Sequence, residues 1–407
     1  MATRVCVVGN FSGRNAGDAA ILGGLLKDVT NAYGPLTFDV PTTNPGFVRR
    51  QYPGFDVCPV GLLPWNLSVK IFGIPIVRSI LRSDIVLVTD AILFDRALFN
   101  PLYNYLSTMA LVLPLAKRMK IPVVLYNVSL GPARTGAGRY CLRKVLDASD
   151  VIILRDTESL DEIPADGGYE ARIRTGADCA LSIDPPSALD IDRIIEEEDL
   201  QANGKPYITF NVNSYIDVFV RARGKRTGVE EFSAMIARSI DGILERLDRN
   251  IVVVVTQPMD MTITNKVLSK LADSSRIRLI SNIKYTYAEL AGVFSRAEIH
   301  VGMRTHSLIL ASSRLTPIVG IIATPKNRGY MRSIRQDERM IEFEDISAEV
   351  VIDRVLTTWE NRQAIRSELE RIIKEEKTKA SRAAEFLGPY LGTEARSTRH
   401  AGGREPT

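Results

Sequence analysis

The feature that most constrains this chain is the repeated alternation of short, apolar, β-rich runs with longer segments of helical periodicity. The runs at 84–89, 122–128 and 151–154 are continuous in apolar side chains rather than alternating, as expected of parallel strands buried on both faces. A β-rich run at 4–9 precedes them and leads through a glycine-containing turn into a helical segment at 19–32. After Asp184-Pro185-Pro186 and the acidic stretch 196–199, the alternation restarts. Strands are expected at 207–212, 251–256, 277–280, 299–301 and 318–322, with helices at 230–247, 264–272, 287–296 and 305–313. This order predicts α/β architecture, and 407 residues exceed one ordinary core. The expected fold is two Rossmann-like domains facing across a cleft. Residues 1–184 form the first, 185–205 connect, and 206–387 form the second, closed by a long charged helix at 348–386. The tail 388–407, rich in Gly, Thr, Arg and Pro, is expected to be disordered.

Charge and cysteine content exclude several classes. A net charge of +4, with no basic block interleaved with aromatics, argues against nucleic acid as a partner. Cys6, Cys58, Cys141 and Cys179 are scattered without C-x-x-C or metal-ligand spacing, which predicts reduced thiols, a cytoplasmic protein and no metal centre. Residues 1–4 run directly into a strand, so no signal peptide is expected. The apolar stretch 102–119 is too short and too polar to span a bilayer and reads as a buried helix. The stretch 61–82 carries Lys70, Arg78 and Arg82 without an acid, and Pro64 and Pro75 break any spanning helix. It is a candidate for peripheral contact with the inner membrane face, a loop and helix closing over the sheet being the other reading. Nothing in the sequence sets an oligomeric state.

The chemistry-bearing residues cluster where strands give way to helices, the place where open α/β sheets bind ligands. In Val301-Gly302-Met303-Arg304-Thr305-His306, a guanidinium and an imidazole stand two residues apart. They can meet one ligand only if the chain there is extended or just turning. Arginine offers a donor fork for carboxylate or phosphate, and histidine moves a proton near neutral pH. The alternative is an arginine and a histidine merely packing at a helix start. His300 is expected to be packed within its strand. Arg155 and Lys326 stand at two other strand exits, where a surface pair with Asp156 and a solvated lysine are the competing readings. The first turn, 9–18, lacks both G-x-G-x-x-G order and a Walker lysine. Asn15 and Asp18 suit sugar hydroxyls better than an anion, although Asp18 could equally be a helix cap.

Asn15-x-Gly17-Asp18-x-Ala20-Ile21-Leu22, Arg155-Asp156-x-x-Ser159, Arg304-x-His306, and Pro317-Ile-Val-Gly320 followed by Lys326 occur in this order. Together they resemble the polysaccharide pyruvyltransferase family over about residues 5–332. The resemblance implies a fold similar to GT-B glycosyltransferases, and transfer of a pyruvyl group from phosphoenolpyruvate to sugar hydroxyls. The products would be a pyruvate ketal and phosphate, in exopolysaccharide or cell-wall biosynthesis, with no cofactor. Arg304 and His306 match the family's donor-site arginine and histidine, and Asp178 matches an aspartate in its region. One departure stands out: Thr89-Asp90-Ala91-Ile92 replaces a glycine-rich loop, which touches acceptor identity more than the donor.

Phosphoenolpyruvate carries a carboxylate and a phosphate and so needs several cations. Arg155, Arg304 and Lys326 are the donor-binding candidates, with His306 as general acid and Arg304 beside it as the second catalytic candidate. Asn15, Asp18 and Asp90 are the acceptor-binding candidates for a glycan or a lipid-linked sugar. A GT-B-type nucleotide-sugar glycosyltransferase and a non-catalytic glycan-binding protein are the alternatives, since fold alone does not assign chemistry.

Overall fold

The computed structural model describes residues 3–62, 74–98, 104–214 and 228–392. The chain divides into two compact units. The first comprises residues 1–13, 21–182 and 377 onward; the second comprises 14–20 and 183–376. The first boundary between large blocks thus falls at 182/183, close to the Pro-Pro signal. Two short segments lie in the other unit than a simple halving would place them.

The first unit holds a seven-stranded parallel sheet in the order β3-β2-β1-β4-β5-β6-β7. Its strands are β1 (Arg4–Val8), β2 (Thr37–Thr42), β3 (Asp56–Gly61), β4 (Ile85–Leu93), β5 (Val123–Leu130), β6 (Val151–Leu154) and β7 (Ile173–Thr175). The sequence pattern missed β2, β3 and β7. Asp39 and Pro41 interrupt β2, yet Asp39 is fully buried because Arg4 and Arg82 approach its carboxylate at 2.6 and 2.5 Å. β3 tolerates Pro59 as an edge strand, and β7 is only three residues long. One face of this sheet is covered by helices Ile74–Leu81, Leu106–Arg118 and Gly136–Ala148, which share a core with β4 and β5. The helix expected to be buried at 102–119 is buried on one face only. Leu106, Met109, Val112 and Leu113 point inward, while Leu111 is 66% exposed.

The second unit holds a six-stranded parallel sheet in the order β10-β9-β8-β11-β12-β13. These strands are β8 (Tyr207–Phe210), β9 (Asn250–Val255), β10 (Ile277–Ser281), β11 (His300–Gly302), β12 (Ile318–Ile322) and β13 (Met340–Glu342). Strand order reverses between β1 and β4 in one sheet and between β8 and β11 in the other. Loops leaving the carboxyl ends of such a pair diverge and open a crevice.

The expected long helix at 348–386 is instead two, Ala348–Glu360 and Arg362–Arg382, separated at Asn361. From Lys377 onward the chain belongs to the first unit: the Tyr33 hydroxyl donates to the Ala384 carbonyl, and the Asn127 amide to that of Ala380. The expected disordered tail is corrected at its start, since Gly388–Leu391 is helical with Leu391 buried. Residues 393–407, and 63–73 of the candidate membrane segment, lie outside the described residues. Among the described residues no helix is long and apolar enough to cross a membrane.

Candidate active site

In the second unit the switch point between β8 and β11 carries the Arg304-x-His306 turn. Arg304 is extended (φ −90°, ψ 131°) and the helix Thr305–Ser312 begins directly after it, so the chain is just turning. Three buried side chains missed by sequence reasoning hold this turn. Asn211, leaving β8, accepts the Arg304 backbone N–H at 3.0 Å and donates to the Val254 carbonyl at 2.8 Å, stapling the ends of β8, β9 and β11. Asp260, fully buried after β9, accepts from Arg304 Nε at 2.8 Å and Nη2 at 2.6 Å. Asn327 donates to the Met303 carbonyl at 2.7 Å and accepts the Thr305 hydroxyl at 2.8 Å. No motif spacing announces these residues; only their position just past a strand end could have singled them out.

The Asp260 contact changes the picture of Arg304. Its bidentate Nε/Nη2 edge, expected to grip a donor anion, is taken by a protein carboxylate in the charge-assisted geometry that fixes a guanidinium most firmly. Asp260 also accepts the Ser214 N–H at 2.9 Å, which satisfies more of its buried lone pairs.

Beneath the turn, His300 is fully buried between the Thr209 and Ser307 hydroxyls, each 3.0 Å from a ring nitrogen. Burial pushes its pKa down to about 3, against a weaker opposing contribution from Thr209. It is a neutral packing residue, with the Phe294 ring edge-on at 4.6 Å between centroids. Lys326 is half-buried in the first turn of the helix Pro325–Ser333, next to Asn327.

The segment 14–20 places Asn15, Gly17 and Asp18 in this same unit. Asn15 accepts the Gly17 N–H at 2.9 Å and donates to the Asp18 carboxylate at 2.8 Å, so the cap is Asn15, with Asp18 supporting it from inside the first turn. The Ala16 N–H donates to the Thr256 carbonyl at 2.9 Å. A Cβ on Gly17 would lie 2.1 Å from His306 Cγ, so glycine at 17 is what lets this turn pack on the imidazole. Asn15 and Asp18 thus share a unit with Arg304, His306 and Lys326.

In the first unit, Arg155 leaves β6 and is almost wholly buried. Nη1 donates to Asp178 at 2.6 Å and Nε to the Ser129 hydroxyl at 2.8 Å. Burial alone would lower its pKa, but the Asp178, Asp90 and Asp156 carboxylates outweigh this and raise it. Asp90 is buried within β4 with φ +74°, a left-handed backbone that favours glycine, in a stretch where β4 and β5 slip register. Its own carboxylate accepts the Ala91 N–H at 2.6 Å, the local bond that lets aspartate occupy such a position.

Two parallel-sheet α/β units, each with a reversal in its strand order, define a GT-B-like fold, and solved structures agree. The Anabaena protein HepE in complex with UDP and glucose matches with a TM-score of 0.60 at 10% identity, covering 97% of this chain and 100% of that one. The UDP-GlcNAc 2-epimerase of Neisseria meningitidis matches at 0.60 and 12% identity, over 96% and 99% of the two chains. A glycosyltransferase from Rickettsia africae matches at 0.57 and 13%, again over 96% and 99%. Identities this low speak for the fold alone. No curated protein matches the sequence. The polysaccharide pyruvyl transferase family model matches residues 15–322, and the chain belongs to that family, a family of transferases in polysaccharide biosynthesis.

Proposed function

We propose that this protein transfers the pyruvyl group of phosphoenolpyruvate to two hydroxyls of a glycan or lipid-linked sugar, forming a cyclic ketal and releasing phosphate. The carrying observation is the Arg304-x-His306 turn at the switch point of the second sheet, clamped by Asp260, Asn211 and Asn327 inside the region that matches the family. His306 delivers a proton to the enol methylene, and the adjoining carbon becomes electrophilic. One sugar hydroxyl adds there, phosphate leaves with its bonding pair, and a second hydroxyl closes the ketal. The two hydroxyl protons balance the proton given to the methylene and the one taken up by phosphate. Arg304, fixed in place by Asp260, meets the anionic donor, helped by Lys326. Asn15 and Asp18, in the same unit as Arg304, serve the acceptor. Arg155, buried against Asp178 and Ser129, serves the donor indirectly at most.

The test is a phosphate-release assay with phosphoenolpyruvate against a panel of oligosaccharides and lipid-linked sugars. Acceptor-dependent phosphate release, with product mass increased by one pyruvate less water, supports the proposal. Release of a nucleoside diphosphate from a nucleotide sugar instead would overturn it in favour of glycosyl transfer.

A further inference from the structure

The outer face of the first unit's helical layer is charged and apolar in a way the proposed reaction does not use. Leu111 and Leu115 are 66% and 37% exposed, and Met119, one residue past the helix, is 57% exposed. Spaced four apart, they form one line along the helix, about 12 Å long. Leu81 and Tyr140 are exposed on the two helices packed to either side. Across 74–82, 106–120 and 134–148, the sequence carries nine Lys and Arg and a single carboxylate, Asp147. Two of the nine face carboxylates from elsewhere, Arg82 on Asp39 and Arg143 on Asp166. The whole chain carries only +4, so the remainder is net acidic and the positive charge is gathered on this layer.

We propose that this face docks on an anionic lipid surface. An apolar line flanked by cations matches the acyl boundary and the headgroups of such a membrane, and the two contributions act together. A second copy of the chain fits poorly. A two-fold contact through this face would set each cation cluster against its own image. Nucleic acid would use the cations but leave the leucine line without a partner. Leu111, Leu115, Met119 and the cations counted here lie among the described residues, so the inference stands without residues 63–73. It is also independent of the proposed chemistry.

Co-sedimentation of the full-length protein with vesicles tests it. Vesicles of phosphatidylcholine with 30% phosphatidylglycerol are expected to bind the protein, and pure phosphatidylcholine to bind it weakly. Each cation near an anionic surface contributes about fivefold to partition, so the variant R78Q/R118Q/K144Q is expected to lose about a hundredfold. L111Q/L115Q is expected to weaken binding at least tenfold at unchanged charge, with a melting temperature like the parent's because both sites are exposed. Binding that ignores L111Q/L115Q but follows the charges would overturn the lipid reading and point to a polyanion. Concentration-dependent dimerisation abolished by L111Q/L115Q, without vesicle binding, would overturn it in favour of self-association.

Discussion

Arg304 and Arg155 answer the same structural question differently. Each follows a parallel strand, and each meets a buried aspartate at 2.6 Å. Arg304 lies beside a switch point, at the start of a helix, with its backbone clasped by Asn211 and its side chain 13% exposed. Arg155 sits further along its sheet, 7% exposed, with three carboxylates and a hydroxyl around it. Sequence alone gives the two nearly equal standing as strand-exit cations. What separates them is topology: Arg304 stands where strand order reverses, the place where open sheets bind ligands, whereas Arg155 leaves a strand whose neighbours follow in sequence order. On the proposed function, Arg304 is held for use and Arg155 as part of the fold.

The strongest way to break that contrast is through the neighbour of Arg304. His306→Ala is expected to lower phosphate release by about 10²–10⁴-fold, as removal of a general acid does, with little change in melting temperature. Near-normal turnover by the folded variant would remove His306 from the mechanism and, with it, the reason for singling out this switch point. Next in size comes Arg155→Ala, which leaves Asp178 buried without its cation and should cost about 3–5 kcal/mol in urea unfolding. A stable Arg155→Ala protein with a raised Michaelis constant for phosphoenolpyruvate would reverse the assignment and make Arg155 a donor ligand.

A third variant sharpens the comparison within the site. Arg304→Lys keeps the charge but cannot span both Asp260 oxygens while also presenting a planar edge to the donor. Losing one charge-assisted bond of about 1.5–3 kcal/mol predicts roughly a 10–150-fold fall in kcat/KM, with stability much less affected than in Arg155→Ala. If calorimetry showed Arg304→Lys binding phosphoenolpyruvate as tightly as the parent, the guanidinium geometry would be irrelevant.

How much of this was legible in the sequence follows from what each feature depends on. The long buried strands β4, β5 and β9 announce themselves because burial on both faces demands continuous apolar side chains. β2 does not, because its buried Asp39 is tolerated only through Arg4 and Arg82, partners distant in sequence. Arg304 and His306 were visible as residue types at a strand-to-helix junction. Asp260, Asn211 and Asn327 were not, since each reaches the turn from another strand end and nothing local marks it. Gly17 could be read as part of a motif, but its reason lies in an imidazole 289 positions away that only folding brings near.

The smallest expected effect concerns the histidine that the turn does not use. His300 has a folded pKa of about 3, below its ordinary value of 6.5, because burial disfavours the charged ring. Above pH 6.5 both folded and unfolded chains hold it neutral, and its contribution to stability is constant. As pH falls below 6.5, the unfolded chain takes up a proton that the folded chain refuses, so stability is lost until the folded ring titrates near pH 3. Between pH 6.5 and 5.5 the loss is about 1 kcal/mol, steepening toward 1.4 kcal/mol per unit below that. His300→Gln removes the titrating group at a position held by Thr209 and Ser307, so its unfolding free energy should fall less with acidification than the parent's. The informative quantity is the difference in slope, because carboxylates elsewhere titrate alike in both proteins. Identical slopes would mean that the ring accepts its proton in the folded state, in which case His300 would join His306 as a candidate for moving one.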